Sequence, residues 1–292
     1  MEIGKLIYEL RKMNGLSQAK LAEGILSQAQ ISKIENGHEI PSSVTLYELS
    51  KRLNVNVSYF FEEMENPRND YVEEVKNLIR MNIRNRDYKE VQRIISSEKK
   101  GPLYQFIEFK QFLTWHEGIC CYYLSEDFTR AMELLQVSLD TFRTCPKILY
   151  SEREIEIINS MAIIYQEEKQ NEKAIAEYKR ALKAYGFLPH IKDIRIKIRV
   201  LYGLAKVLNI QKEYQESLDY SLEGIQLCIN YESFYLFGEL NYQCGDSLVM
   251  LNREESGVNY LKNASCIFEV TKKEKYVELV QNEMMRLGVG EE

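Results

Sequence analysis

The stretch that decides the fold is residues 16–42, LSQAKLAEGILSQAQISKIENGHEIPS. Ser17 and Ser27 each stand just before a short segment with apolar positions at helical spacing. These are Leu21-Ala22 in one segment and Ile31 with Ile34 in the other. A serine there caps a helix, because its hydroxyl accepts from an amide that the first turn leaves unpaired. Asn36-Gly37 closes the second segment. Pro41-Ser42-Ser43 opens the next, which runs through Leu46, Leu49 and Leu53. Working outward, Ile3, Leu6, Ile7 and Leu10 share one face of a helix over about 3–14, ended by Gly15. Val57 to Glu63 forms a fifth. The first seventy residues therefore read as five short helices around a small core.

Leu16-Ser17-Gln18, Leu21-Ala22, Ile31-Ser32, Ile34-Glu35-Asn36-Gly37 and Pro41-Ser42 together resemble the helix-turn-helix domain of the lambda-repressor and Cro family. The resemblance covers about residues 3–60, and the turn before Ser27 is one residue shorter here. It implies that the helix opening at Gln28 enters a DNA major groove, with its first residues at base edges. The candidate contacts are Gln28, Ala29, Gln30, Ser32 and Lys33. A Gln amide suits adenine, and an Ala methyl suits the thymine methyl. Gln18 opens the preceding helix, whose N-terminus favours a phosphate. Arg11, Lys12 and Lys20 are the candidate backbone contacts. Residues 1–56 hold seven Lys or Arg against six Glu, a net of +1. Phosphate neutralisation supplies much of DNA affinity, so one copy should bind weakly. The expected remedy is a homodimer on double-stranded DNA with a palindromic operator.

Glu62 to Asp70, EEMENPRND, is polar with Pro67 inside, and reads as a linker. The organisation expected is a DNA-binding domain over 1–61, a linker over 62–70 and a repeat domain over 71–292. In that last part, small and aromatic positions recur. The clearest copy has Met161-Ala162, Tyr165, Ala174, Tyr178 and Ala181, which is tetratricopeptide spacing. Leu204-Ala205, Leu208, Ser217, Ser221 and Gly224 follow, then Cys244-Gly245, Leu248, Gly257, Leu261 and Ala264. Earlier copies carry Trp115, Tyr122, Ala131, Leu135 and Ser138, and more weakly Ile79, Val91 and Ile95. Ala162 to Ala205 is 43 residues and Ala205 to Gly245 is 40, longer than the usual spacing of about 34. The fold expected is all-α: a lambda-repressor-like helix-turn-helix domain, then a right-handed superhelix of about five degenerate tetratricopeptide repeats. A capping helix over about 273–287 ends it.

In such arrays the first helix of each pair lines a concave surface. Positions opposite the small residues should face it. These are Glu156, Asn159, Ile163 and Gln166; Arg199, Tyr202, Lys206 and Asn209; and Glu239, Tyr242, Asp246 and Val249. Lys76, Arg80 and His116 extend the set. Amides bond an extended backbone, cations hold a carboxylate, and tyrosines give apolar walls with polar tips. The mixture suits a short peptide.

The chain has 292 residues with a net charge of −6, and 45% of it is hydrophobic. No apolar run reaches the length of a membrane helix, and the first residues are not a secretory signal. No membrane association is expected, and the compartment expected is cytoplasmic. The six cysteines form no CxxC pair and have no His at zinc spacing, so no metal or cofactor is expected. There is no GxxxxGK, GxSxG or HExxH, so no catalytic residue is assigned and the chain does not read as an enzyme. Two alternatives stay open. The repeats dock a partner protein, or the adjacent Cys120 and Cys121 make a thiol redox-sensing regulator.

A helix-turn-helix joined to degenerate tetratricopeptide repeats resembles the PlcR-like, peptide-responsive quorum-sensing regulators of Gram-positive bacteria. Asn159-x-x-Ala162-x-Ile164-Tyr165, Ala205-Lys206, Tyr214-x-Glu216-Ser217-Leu218 and Tyr242-Gln243-x-Gly245 carry the likeness, as does Phe112 to Leu139. The resemblance implies a homodimeric transcription regulator, more an activator than a repressor. Its repeats bind a short re-imported signalling peptide, and binding reorients the DNA-binding domains on the operator. It also implies that Asn159 contacts the peptide backbone and Tyr276 a peptide side chain. Glu239 and Gly203 stand where the resembled group has amide side chains, which implies a different cognate peptide.

Overall fold

The computed structural model describes residues 3–65, 69–142 and 149–287, and every regular element among them is helical. The chain divides into two units, 1–85 and 86–292.

The first unit holds α1 (Ile3–Met13), α2 (Gln18–Ala22), α3 (Gln28–Glu35), α4 (Ser43–Leu53), α5 (Val57–Glu65) and α6 (Asn69–Arg84). The serine caps are formed: Ser17 accepts from the Lys20 amide at 3.1 Å, and Ser42 from the Thr45 amide at 3.1 Å. Ser27 and Gln30 make a reciprocal capping box at the start of α3. Ile7, Leu21, Ile31, Ile34, Leu46, Leu49 and Phe60 form the buried core. Each contributes about 1.5–3 kcal/mol on leaving water. Gly4 faces the Ile34 carbonyl so closely that any Cβ would strike it, which is how α1 closes on α3.

Pro67, within the expected linker, lies among residues 66–68, outside those described. On either side the polar stretch is helical, since α5 runs to Glu65 and α6 begins at Asn69. Glu and Met are good helix formers, so polarity alone does not end a helix.

The second unit begins with α7 (Tyr88–Glu98) and a 3-10 turn at Pro102–Gln105. Helix pairs follow: α8 (Ile107–Ser125) with α9 (Phe128–Leu139), and α10 (Glu152–Glu167) with α11 (Asn171–Gly186). Next come α12 (Arg195–Ile210) with α13 (Tyr214–Asn230), and α14 (Phe237–Met250) with α15 (Glu254–Val270). α16 (Glu274–Arg286) closes the array on α15, burying Val280 beside Phe268. The weak first repeat has one helix in each unit: Ile79 is on α6, while Val91 and Ile95 are on α7.

The small residues make the approaches read from their spacing. A Cβ on Gly245 would lie 2.9 Å from both the Gly257 carbonyl and Leu261. Ser217 donates to the Ala205 carbonyl at 2.8 Å, and Gly118 meets the Ala131 carbonyl and Leu135. The first helices of successive pairs also pack side by side, α8 on α10, α10 on α12 and α12 on α14. That row of helices positions the candidate peptide site.

Candidate DNA interface and ligand groove

α3 presents Gln28, Ala29 and Lys33 to solvent, with Ser32 and Gln30 half-buried. Gln30 spends its oxygen on Ser27, accepting from the backbone amide at 3.1 Å and the hydroxyl at 2.9 Å. Only its amide nitrogen is left for a base. Gln28 donates to the Gln18 oxygen at 3.1 Å, and Gln18 donates to Glu35 Oε2 at 2.8 Å. Gln18 therefore orients Gln28, tying the first turn of α3 to the start of α2.

Arg11 is a correction. Its guanidinium is turned inward and buried, donating to Glu35 from Nε at 2.6 Å and from Nη2 at 2.8 Å, and to the Leu16 carbonyl at 2.8 Å. A guanidinium so occupied does not reach a phosphate. Burial pushes the Glu35 carboxyl up. Hydrogen bonds from Arg11 and Gln18 outweigh that and hold it below the usual carboxylate range. The signal was present in the sequence, since Glu35 sits on a helix face with Ile31 and Ile34. Arg52 was missed too: it donates to the carbonyls of Lys20, Leu21 and Glu23 and so caps the C-terminus of α2. Lys12 remains exposed near the Tyr8 ring, and Lys20 is exposed in an ion pair with Glu23.

Of the sixteen positions expected to face the peptide, fourteen lie in the second unit. Lys76 and Arg80 lie on α6 in the first, and Lys76 is buried with Glu73 at 2.6 Å. His116 is also displaced from the expected face: it is buried against the Phe112 and Trp115 rings, with Nδ1 2.8 Å from the Phe112 carbonyl. Gly203 meets the Tyr178 ring, where a Cβ would lie 2.5 Å away. It serves packing rather than recognition.

Bonds between the first helices fix their register. Arg199 donates to Glu156 at 3.0 Å and to Tyr235 at 2.7 Å. Burial opposes its charge, but Tyr235 and Glu156 outweigh that and keep it cationic. Asn209 donates to Asp246 at 2.8 Å and to Ser247 at 3.2 Å. Burial nevertheless pushes the Asp246 carboxyl up. Extending both registers places Asn159, Tyr202 and Glu239 on one row across α10, α12 and α14. Tyr202 is held protonated by burial first, then by nearby Glu239, Tyr276 and Tyr242. Burial and Asp246 push Tyr242 up to about 12.

Among the described residues, two buried acceptors on this row have no hydrogen-bond partner: Asn159 Oδ1 and Glu239 Oε2. The other oxygen of Glu239 accepts from Lys273 at 2.6 Å. Tyr276 is 44% exposed and lies against Phe268, with ring centroids 5.0 Å apart. Gln166 accepts from Tyr178 at 3.3 Å, and Lys206 is exposed without an ion pair among the described residues. An orphaned buried acceptor costs about 1–3 kcal/mol. Two on one row, between tyrosines, suit a ligand that supplies donors.

Two family models match this chain. One is a helix-turn-helix over residues 7–60, and the other is the RNPP family C-terminal domain over residues 75–287. The chain belongs to the RNPP family. That family is one of DNA-binding transcription regulators. Bacillus thuringiensis PlcR in complex with the peptide PapR7 and DNA is 28% identical, with a TM-score of 0.85 over 96% of this chain and 99% of that one. The apo form of PlcR is 25% identical, with a TM-score of 0.69 over 97% and 98%. ComR from S. thermophilus, in complex with DNA and its signalling peptide ComS, shares the fold at 16% identity and a TM-score of 0.67, over 98% and 100%. No curated protein matches the chain. Among the described residues of this RNPP member, no helix is long and apolar enough to cross a membrane.

Proposed function

We propose that this chain is a cytoplasmic transcription regulator switched by a short signalling peptide. It works as a homodimer on a palindromic operator. Residues 1–61 read DNA, and residues 71–292 bind the peptide and dimerise. One observation carries the reading: a relative matched almost end to end is recorded with both a peptide and DNA. In this chain Gln28, Ala29, Gln30, Ser32 and Lys33 face the bases, and Gln18 orients Gln28. The peptide lies across α10, α12 and α14, its backbone held by Asn159 and its side chains between Tyr202, Tyr242 and Tyr276.

Switching requires a differential affinity. To move the dimer from about 1:99 to 99:1 in favour of the DNA-competent arrangement, the peptide must prefer it by about 10⁴-fold. The regulator is an activator by its likeness to the PlcR-like group. A thiol sensor fits less well, because Cys120 is buried and its thiol is pushed up to about 12.

The test is peptide capture. The purified chain is incubated with the low-mass fraction of a producer culture and washed, and retained peptides are identified by mass spectrometry. Asn159→Ala should lose what the wild type holds. Retention of nothing by the wild type would turn the reading toward protein docking.

A further inference from the structure

Glu239 is the one acidic side chain on the row of Asn159, Tyr202 and Glu239. The carboxylate is 8% exposed at the start of α14, and its two oxygens differ. Oε1 is held by Lys273 at 2.6 Å, from the turn that leads into α16. Oε2 is buried and has no hydrogen-bond partner among the described residues. Lys273 already balances the carboxylate charge. A further cation at Oε2 would be buried with no counter-charge of its own, and a second carboxylate would meet repulsion and leave Oε2 orphaned. A neutral donor escapes both penalties, because one N–H or O–H satisfies Oε2 without adding charge.

We propose that Glu239 is a specificity residue selecting a neutral hydrogen-bond-donating side chain, an amide above all, at one position of the bound peptide. This rests on the peptide-receptor reading above. Asn159 Oδ1 gives the spacing. Adjacent packed helices stand about 8–10 Å apart, so two steps from α10 to α14 span about 16–20 Å. An extended chain covers that in about five or six residues. The selected side chain therefore lies about five residues along the peptide from the backbone group held by Asn159. Tyr202 lies between them as an apolar wall.

The experiment uses a synthetic octapeptide library, each position carrying in turn Asn, Gln, Asp, Glu, Lys or Leu, and the full-length chain. The wild type should enrich Asn and Gln at one position and deplete Asp and Glu there by about tenfold, the size of one lost hydrogen bond to a charged group. Glu239→Gln supplies both a donor and an acceptor, so it should bring the acidic and amide peptides within about twofold of each other. Tyr185→Phe removes the orphaned hydroxyl of Tyr185 on α11, off the row, and should leave the profile unchanged. Identical profiles for wild type and Glu239→Gln would overturn the inference, as would enrichment of Lys by the wild type. Capture of no peptide by any variant would overturn the receptor reading itself, and this inference with it.

Discussion

Replacing Arg11 by Met separates two accounts of the helix-turn-helix unit. The Arg11 and Glu35 side chains are only 6% and 3% exposed. Removing the cation leaves a buried carboxylate with Gln18 as its remaining partner, and breaking one partner of a buried pair costs about 3–5 kcal/mol. A unit the size of residues 1–85 is worth roughly 4–13 kcal/mol in total at typical stability per residue. The loss is therefore a large fraction of the whole. Amides of α1 and α3 in the full chain should exchange about a hundredfold or more faster at pH 7, since each 1.4 kcal/mol is tenfold. Arg11→Met with Glu35→Leu removes both charges and should recover most of that protection. DNA affinity should stay low in the double variant, because Gln18 loses the carboxylate that orients it. Unchanged exchange in Arg11→Met, together with a large loss of DNA affinity, would refute the inward placement and restore Arg11 as a phosphate contact.

The same pair has a pH signature. The folded Glu35 carboxyl is held below its ordinary value, so its contribution is intact at neutral pH and is lost as pH falls below the usual carboxylate range. Exchange in α1 and α3 should rise there first, and a flat acid profile would count against the pair. Gly203→Ala places a methyl against the buried Tyr178 ring and should destabilise the second unit by about 1–3 kcal/mol in urea unfolding. No change would mean that α11 and α12 are less closely packed than described. Thiol alkylation at pH 7–8 should reach the exposed Cys266 well before Cys120, whose thiol is pushed up to about 12; the reverse order would revive thiol sensing. Lys12→Ala should weaken DNA binding with little loss of stability and reduce the salt slope by about one. An unchanged slope would remove Lys12 from the phosphate-contacting set.

Much of the fold was legible because small side chains dictate it. Ser17, Ser27 and Ser42 announce three helix starts, and Gly245 with Gly257 announces a close helix crossing. These depend on local backbone chemistry that a single chain displays. The candidate sites were less legible, because a charge on a helix does not say which way its side chain turns. Arg11 read as a surface cation until Glu35, twenty-four residues away, proved to be its partner. His116 read as a groove position, and Gly203 stands where the resembled group has an amide, yet neighbouring helices bury both. Lys273, which splits the two oxygens of Glu239, comes from the turn before the capping helix and has no local signal. The row of Asn159, Tyr202 and Glu239 was individually named in the sequence. Its two orphaned oxygens emerged only once the helices were packed.

The central claim is that a peptide switches DNA binding. The most direct measurement incubates the full-length chain with fragmented genomic DNA from the producing cell, with and without the peptide fraction it retains, and sequences the bound fragments. The account predicts one palindromic motif, enriched about a hundredfold or more only when the peptide is present and lost in Asn159→Ala. Enrichment of the same fragments to the same extent without peptide would contradict it.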